Sequence, residues 1–368
     1  MLWPDSAALR ELPTPSLVVD GTALDANIRA MADTARSAGV MLRPHAKTHK
    51  TREIAELQLE AGAAGICCAT VTEAEALSAA GVRSILVTSP TFGADRFASL
   101  ARINRDHGLK VVVDHPAQVD GLTAVMQPSD RALGVLVDLD VGQHRTGVAD
   151  NPSGVALAKM IAAHPMLVFA GIQGYAGHAQ HIEDPDERCA AIEASAAKVR
   201  SLVEALGGEG LAPPLVTGAG TGSYRQDARG PFNELQVGSY VFMDADYGRI
   251  LDAEGSPPPF EASLFVLSTV VSANQPGEIT VDAGTKVLAT NGPPPAVLIG
   301  VPPGSAYRFG GDEHGMITVP AGQPVPPLGA RILIGATHCD PTVNLHPAMH
   351  VVRGNRTERW PVLGRHSA

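Results

Sequence analysis

The segment Arg43-Pro44-His45-Ala46-Lys47-Thr48-His49-Lys50 gathers two lysines and two histidines behind the apolar run Gly39-Val40-Met41-Leu42. A lysine held by a proline at a strand end is unusual, because its ammonium normally stays hydrated. Cationic neighbours such as His45, His49 and Lys50 disfavour the charged amine and free its lone pair to attack a carbonyl, the requirement for an imine. Lys47 is therefore a candidate nucleophile; the alternative is a basic strand end that binds phosphate or faces water. A second reactive run is Asp138 to Gly147, which includes His144-Arg145-Thr146-Gly147, and a third is Tyr175-Ala176-Gly177-His178-Ala179-Gln180-His181. The run Thr217 to Ser223 holds three glycines, two threonines and a serine, so backbone N–H groups and hydroxyls can converge on a phosphate without steric obstruction.

These groups act together only if the fold brings them to one place. After an extended 16–19, with Asp20 capping a helix over 23–38, short apolar runs alternate with alanine-rich helical stretches. The runs fall at 40–43, 65–69, 84–88, 110–114, 134–138, 169–174, 215–217 and 234–237, with helical segments such as 53–61, 72–80, 95–107, 153–163 and 186–206 between them. Strands that are apolar on both faces and alternate strictly with helices imply a parallel sheet, and eight such units predict a (β/α)8 TIM-type barrel. A doubly wound open sheet is the runner-up, but the first strand-to-helix turn lacks the Gly-x-Gly-x-x-Gly fingerprint. In a barrel the chemistry collects at the C-terminal ends of the strands, where Lys47, Arg145, Tyr175 and the 217–223 loop all fall. An imine-forming lysine, a phosphate cradle opposite and an arginine between them call for pyridoxal 5'-phosphate.

Beyond Asp252 the character changes. Ser256-Pro257-Pro258-Pro259 marks a boundary, and strand-like runs follow at 263–272, 278–282, 296–300, 316–319, 331–334 and 350–353, separated by glycine and proline turns. We expect a barrel over 17–255 and a C-terminal antiparallel β domain over 256–368, with segment 1–16 packed on the latter. Thr337-His338-Cys339-Asp340 follows the 331–334 strand; on extended backbone His338 and Asp340 project to one side and Cys339 to the other. One imidazole and one carboxylate suit a divalent cation with open positions, and a strand end with a capping aspartate is the other reading.

Composition sets outer bounds. The 368 residues are 45% hydrophobic and 18% charged, with a net charge of −10, which describes a folded globular chain and disfavours nucleic acid and anionic membrane surfaces as partners. Cys67, Cys68, Cys189 and Cys339 make no disulfide framework, and the first residues show no basic region followed by an apolar core, so the expected compartment is the cytoplasm.

Taken together, Arg43 to Lys47, His144 to Gly147, the 218–223 loop, Leu235-Gln236-Val237-Gly238-Ser239-Tyr240 and His338-Cys339-Asp340-Pro341-Thr342 resemble the fold-type III, alanine-racemase-like pyridoxal-phosphate enzymes. The resemblance covers nearly the whole chain. Within that family it is to the branch of D-threonine aldolases, 3-hydroxy-D-aspartate aldolases and metal-dependent D-serine dehydratases, and nearest the first. It implies that Lys47 carries the cofactor, that Arg145 meets the phenolic oxygen of its ring and Tyr175 lines the ring, and that Thr221, Gly222, Ser223 and Tyr240 lie near the phosphate. It further implies His181 as catalytic base, with His178 as its neighbouring rival. His338 and Asp340 would be ligands of a divalent metal, manganese first and magnesium or zinc as alternatives, and Asp312 would lie near that metal or its waters. The expected reaction is retro-aldol cleavage of a D-3-hydroxy amino acid to glycine and an aldehyde, in a homodimer whose active site lies at the subunit interface. A dehydratase acting on D-serine or D-threo-3-hydroxyaspartate is the main alternative; in that branch a cysteine is expected at the second ligand position, where this chain has Asp340. A racemase would need a second base from the β domain, and the one tyrosine beyond residue 260, Tyr307, lacks the matching surroundings. A non-catalytic pyridoxal-phosphate carrier would be a barrel alone.

Overall fold

The computed structural model describes residues 3, 4, 6–127, 131–252 and 254–365. Contacts divide the chain into one unit of residues 31–238 with 363–368 and another of residues 1–30 with 239–362. Residues 1, 2, 5, 128–130, 253 and 366–368, part of the expected domain ranges, lie outside the described residues.

Among the described residues, eight parallel strands form the sheet of the first unit, in the order Met41–Leu42, Glu234–Leu235, Leu215–Gly218, Leu167–Gly174, Leu133–Leu139, Leu109–Val113, Ile85–Val87 and Ile66–Cys68. The ring closes between its first and last members through a parallel bridge of His45 to Cys67, with Cys67 N donating to Pro44 O at 2.8 Å and Ala64 N to Leu42 O at 2.7 Å. Each expected barrel strand coincides with one of these. Several of the helices between them start at side-chain caps: Thr70 accepts from Glu73 N, Asp150 from Ser153 N, and Asp184 from Asp186 N and Glu187 N.

Alternation along the strands stratifies the barrel interior. Cys67, Leu86, Val112, Leu136, Ala170 and Leu215 form one buried apolar cluster from six strands. Two residues before this layer, on the same faces, lie Gly65, Ser84, Lys110 and Gly134, and near them the ion pair of Arg43 with Glu234, Nε to Oε1 at 3.0 Å. Two residues beyond it come Thr88, Asp138 and Thr217, and the buried layer at the C-terminal ends also includes Gln173 and Gln236.

The second unit is a mostly antiparallel sheet in the order Ala306–Phe309, Gly315–Thr318, Glu278–Val281, Leu264–Gln275, Ser16–Asp20, Ala348–Arg353 and Arg356–Pro361; Arg331–Gly335 pairs with Leu264–Gln275 and carries Leu298–Ile299. Among the described residues its single parallel pairing is Ser16–Asp20 with Ala348–Arg353. Leu9, Val18, Phe265, Leu267, Leu333 and Val352 pack as its core, and Arg331 donates to the carbonyls of Leu9, Arg10 and Leu12.

The unit boundaries therefore differ from 17–255 and 256–368. Residues 16–20 are a strand of the second sheet, and Asn27 Nδ2 donates to Val241 O and Glu261 O, so the start of helix Gly21–Ala38 and the segment after Gly238 group with that sheet. At the other end, Leu363 N donates to Lys50 O at 2.7 Å, which returns the tail to the barrel unit.

Candidate active site

Lys47 stands on the single 3-10 turn Ala46–Thr48 just past the first barrel strand, and its side chain is half-buried. The turn is pinned from the backbone: Lys47 N donates to His45 Nδ1 at 3.3 Å. A ring nitrogen that accepts an N–H carries no proton, so the His45 proton sits on Nε2, 2.9 Å from Thr88 Oγ1. Thr88 Oγ1 in turn donates to Cys68 O at 3.2 Å. His45 is therefore neutral, and Lys50 is buried in an ion pair with Glu73 at 3.1 Å. The cationic neighbourhood expected around Lys47 is thus not what the structure builds, because one neighbour is neutralised by its hydrogen bonds and another by a carboxylate.

Arg145 and Tyr175 come together. The guanidinium carbon lies 5.5 Å from the tyrosine ring centroid, a cation–π stack that joins the loops after the fifth and sixth strands. The same loops touch at Gly177, where an added Cβ would lie 2.5 Å from Gln143 Oε1, and at Gly142, where it would lie 3.5 Å from His178 Cε1. Behind Arg145, Thr146 Oγ1 donates to Asp138 Oδ2 at 2.8 Å. Burial pushes the Asp138 carboxyl up to about 6 against the opposing hydrogen bonds from Gln173 and Thr146. His181 is exposed further along the loop that starts at Tyr175, between the buried Gln180 and the half-buried Ile182, whose carbonyl accepts from Arg188 Nη1 at 2.6 Å. His178 is exposed as well.

The 218–223 loop is shaped differently from the sequence reading. A Cβ at Gly222 would lie 2.1 Å from Gln180 O, and at Gly220 2.3 Å from Gln180 Oε1, so these glycines admit the Gln180 segment. Gly222 N donates to Gln180 Oε1 at 3.0 Å. Ser223 Oγ, fully buried, accepts from Gly220 N at 3.1 Å and from Gln180 Nε2 at 2.8 Å, and hydrogen-bonds Asp227. Gly222 and Ser223 thus hold the shape of the loop. Thr221 is the residue left with something to offer: its hydroxyl is buried and has no hydrogen-bond partner among the described residues. An orphaned buried hydroxyl carries a free-energy penalty that a phosphate oxygen would relieve, so the loop fits an anionic group.

Burial also raises the Asp227 carboxyl to about 7. A carboxyl with a raised folded-state pKa binds more protons folded than unfolded, so the stability it contributes falls as pH rises from about 4 towards 7. Asp227→Asn keeps an acceptor for Ser223 and removes the charge. Its stability relative to wild type is expected to grow by roughly 2–4 kcal/mol between pH 4 and pH 8. Urea denaturation at the two pH values measures this, and an equal difference at both would contradict it.

In the second unit, Tyr240 lies on the turn Ser239–Val241, fully buried, with its ring centroid 5.7 Å from that of Phe260. The 331–334 strand ends at Gly335, and Cys339–Leu345 is a helix whose N-cap is His338. His338 and Asp340 are therefore cap and first-turn residues, in place of alternate residues on extended backbone. Pro341 permits this, since its missing N–H falls where a helix start has no acceptor to offer. Cys339 is buried, and its N–H, between the two expected ligands, donates to Asp244 Oδ2 at 2.8 Å. The other Asp244 oxygen accepts from Tyr247 N at 2.9 Å. Burial raises the Asp244 carboxyl, with His338 lowering it and Asp340 raising it, so both groups lie within its field. Asn291 Nδ2 is 3.0 Å from His338 Nδ1. Among the described residues no three histidine, cysteine, aspartate or glutamate side chains gather as a metal cage. An imidazole and a carboxylate remain a donor pair suited to a divalent cation that keeps water or substrate oxygen in its other positions.

Asp312 is exposed on the 310–314 hairpin turn, where Thr285 Oγ1 is 3.4 Å from its Oδ1. Tyr307 is buried, donates its hydroxyl to Ala283 O at 2.7 Å and is raised in pKa by burial, which gives it a place in the sheet core. Sequence reasoning missed Gln173, Gln236, Gln180, Asp244 and Asn291. Counting in twos from the apolar barrel layer would have flagged Thr88, Asp138 and Thr217 as polar inner-face residues at strand ends; Gln180, Asp244 and Asn291 sit in loops and turns without such a signal.

Three comparisons bear on this arrangement. The family model described as "Alanine racemase, N-terminal domain" matches residues 19–246, and one described as "Putative serine dehydratase domain" matches residues 263–352. A D-threonine aldolase of Arthrobacter sp is 40% identical over 97% of this chain and 94% of its own length. A 3-hydroxy-D-aspartate aldolase of Paracoccus denitrificans is 39% identical over 96% of this chain and 92% of its own. The crystal structure of a D-threonine aldolase from Filomicrobium marinum superposes with a TM-score of 0.92 at 40% identity, covering 97% of both chains. A D-threo-3-hydroxyaspartate dehydratase of Delftia sp. is more distant, at 29% identity over 96% of this chain and 98% of its own. With over half its length in the first model and near-complete coverage by the aldolases, the chain belongs to the alanine racemase N-terminal domain family, joined to a serine dehydratase domain.

Proposed function

We propose that the protein is a pyridoxal-phosphate- and divalent-metal-dependent aldolase that cleaves D-3-hydroxy amino acids of the D-threonine type to glycine and an aldehyde. The observation that carries this is the end-to-end likeness, at about two residues in five, to a D-threonine aldolase. Pyridoxal phosphate, when bound, supplies an electron sink for the amino acid's α-carbon, and a divalent cation supplies Lewis acidity towards an alcohol oxygen. Lys47 Nζ would be the covalent anchor, Arg145 and Tyr175 present a cationic, aromatic wall, and the Thr221 hydroxyl would be the donor to the phosphate. His338 and Asp340 hold the cation. His181 accepts the proton of the 3-hydroxyl as the Cα–Cβ bond breaks. The bonding pair passes to Cα, which takes up a proton to give glycine, while the former carbinol carbon leaves as the aldehyde.

The dehydratase alternative uses the same residues but removes the α-proton and expels the hydroxyl. D-threonine incubated with manganese, and separately with chelator, distinguishes the two. Metal-dependent acetaldehyde and glycine are expected; 2-oxobutanoate and ammonia would establish the dehydratase. The family reading also carries a homodimer, and an active monomer on gel filtration would remove that element.

A further inference from the structure

Gln173 is the penultimate residue of the strand Leu167–Gly174 and is buried. Its amide nitrogen donates in two directions, to Asp138 Oδ1 at 2.8 Å and to Thr88 O at 2.9 Å. Its oxygen accepts from Gln236 Nε2 at 3.1 Å. The orientation of the amide is forced, because a flip would aim its oxygen at a carboxylate and a carbonyl, neither of which can give a proton to it when the acid is ionised. Thr88 follows the strand Ile85–Val87, three strands away from Gln173 in the sheet order, so no ladder hydrogen bond could make this tie.

Each arm leads to a residue of the proposed cofactor site. Thr88 Oγ1 receives His45 Nε2, and His45 Nδ1 receives the backbone N–H of Lys47. Asp138 Oδ2 receives Thr146 Oγ1, next in sequence to Arg145. A side-chain path from the Lys47 turn to the Arg145 loop thus runs across the barrel through one amide, beside the backbone ties that Gly147 N makes to Asp114 and Val148 to Asp138. We propose that Gln173 is a positioning residue that sets the Lys47 turn against the Arg145 loop and so determines how tightly, and in what orientation, the cofactor ring is held. The proposal rests on the reading of Lys47 and Arg145 as cofactor residues. Asp138 strengthens the case: burial raises its carboxyl to about 6, and the hydrogen bonds from Gln173 and Thr146, together with Arg145, favour its charged form.

The test compares wild type with Gln173→Met, which preserves volume and removes both donors, and Thr146→Val, which cuts only the Arg145 arm. Purified apoprotein is titrated with pyridoxal phosphate by absorbance, and the visible circular dichroism of the loaded protein reports ring orientation. For Gln173→Met we expect at least a tenfold rise in cofactor Kd and loss of half or more of the visible dichroism per bound cofactor. Thr146→Val should move both readouts the same way, by about threefold in Kd. A merely structural glutamine would lower the melting temperature and leave Kd and dichroism per bound cofactor unchanged. Should Gln173→Met not fold, Thr146→Val decides, and wild-type values for it would overturn the proposal. If wild type itself takes up no pyridoxal phosphate, the cofactor reading fails and the proposal with it, an outcome distinct from normal wild-type binding with indifferent variants.

Discussion

Lys47→Ala is expected to abolish the borohydride-reducible adduct with pyridoxal phosphate and to reduce D-threonine cleavage by on the order of 10³-fold or more, the scale set by losing a tethered covalent group. The substitution is clean for a structural reason. The turn Ala46–Thr48 is held by the Lys47 backbone N–H on His45 and by His49 N donating to Ala46 O at 3.1 Å, and alanine retains both. Because the lysine side chain is half-buried and lies outside the apolar cluster, the loss of stability should stay near 1 kcal/mol or below. Thermal melting close to wild type, with no modified peptide at position 47 after reduction, is therefore the predicted pair of results. A reducible chromophore that persists in the variant would show that another amine is the anchor, and Lys50 would not be the first suspect, since its ammonium is engaged by Glu73 and Gly364 O.

That the place of Lys47 just past a strand end was legible and its surroundings were not has a physical explanation. A proline before it and an apolar run behind it announce a strand end, and eight alternating units announce a barrel, because burial on both faces leaves a continuous apolar signature. Whether a histidine is charged depends on what its ring nitrogens meet, and Thr88 lies 43 residues from His45 in the chain. Sequence has no access to that partner. The glycines at 220 and 222 illustrate the same limit: their composition signals close approach, but the approaching group is Gln180. In the second unit the strands Ala306–Phe309 and Arg356–Pro361 escaped notice, the one being short and the other exposed at five of its six residues, so neither carries an apolar run. The helix Cys339–Leu345 was hidden by Pro341, which reads as a breaker unless it falls in a first turn.

The same helix makes His338→Ala the sharpest test of the metal. His338 caps it without a side-chain hydrogen bond, while Cys339 N is held by Asp244 and the His338 carbonyl accepts from Thr342 Oγ1 at 2.7 Å. Thr342 Oγ1 also accepts from Ala289 N, and Thr337 Oγ1 donates to Ala289 O, so the turn is tied by atoms that alanine leaves in place. Removing the imidazole should therefore subtract the proposed ligand and its contact with Asn291 while the backbone stays put. Cleavage is expected to fall by about 10²–10⁴-fold, the range that the loss of Lewis-acid and proton-transfer assistance accounts for. Pyridoxal-phosphate Kd should stay within twofold of wild type, because Lys47, Arg145, Tyr175 and Thr221 belong to the barrel unit and the substitution leaves Tyr240 untouched. Manganese added to chelated wild-type protein should restore activity, and manganese added to the variant should not. If His338→Ala and exhaustive chelation both left cleavage undiminished, the alcohol oxygen would be activated by the protein alone, and His181, the exposed imidazole between Gln180 and Ile182, would have to carry that step unaided.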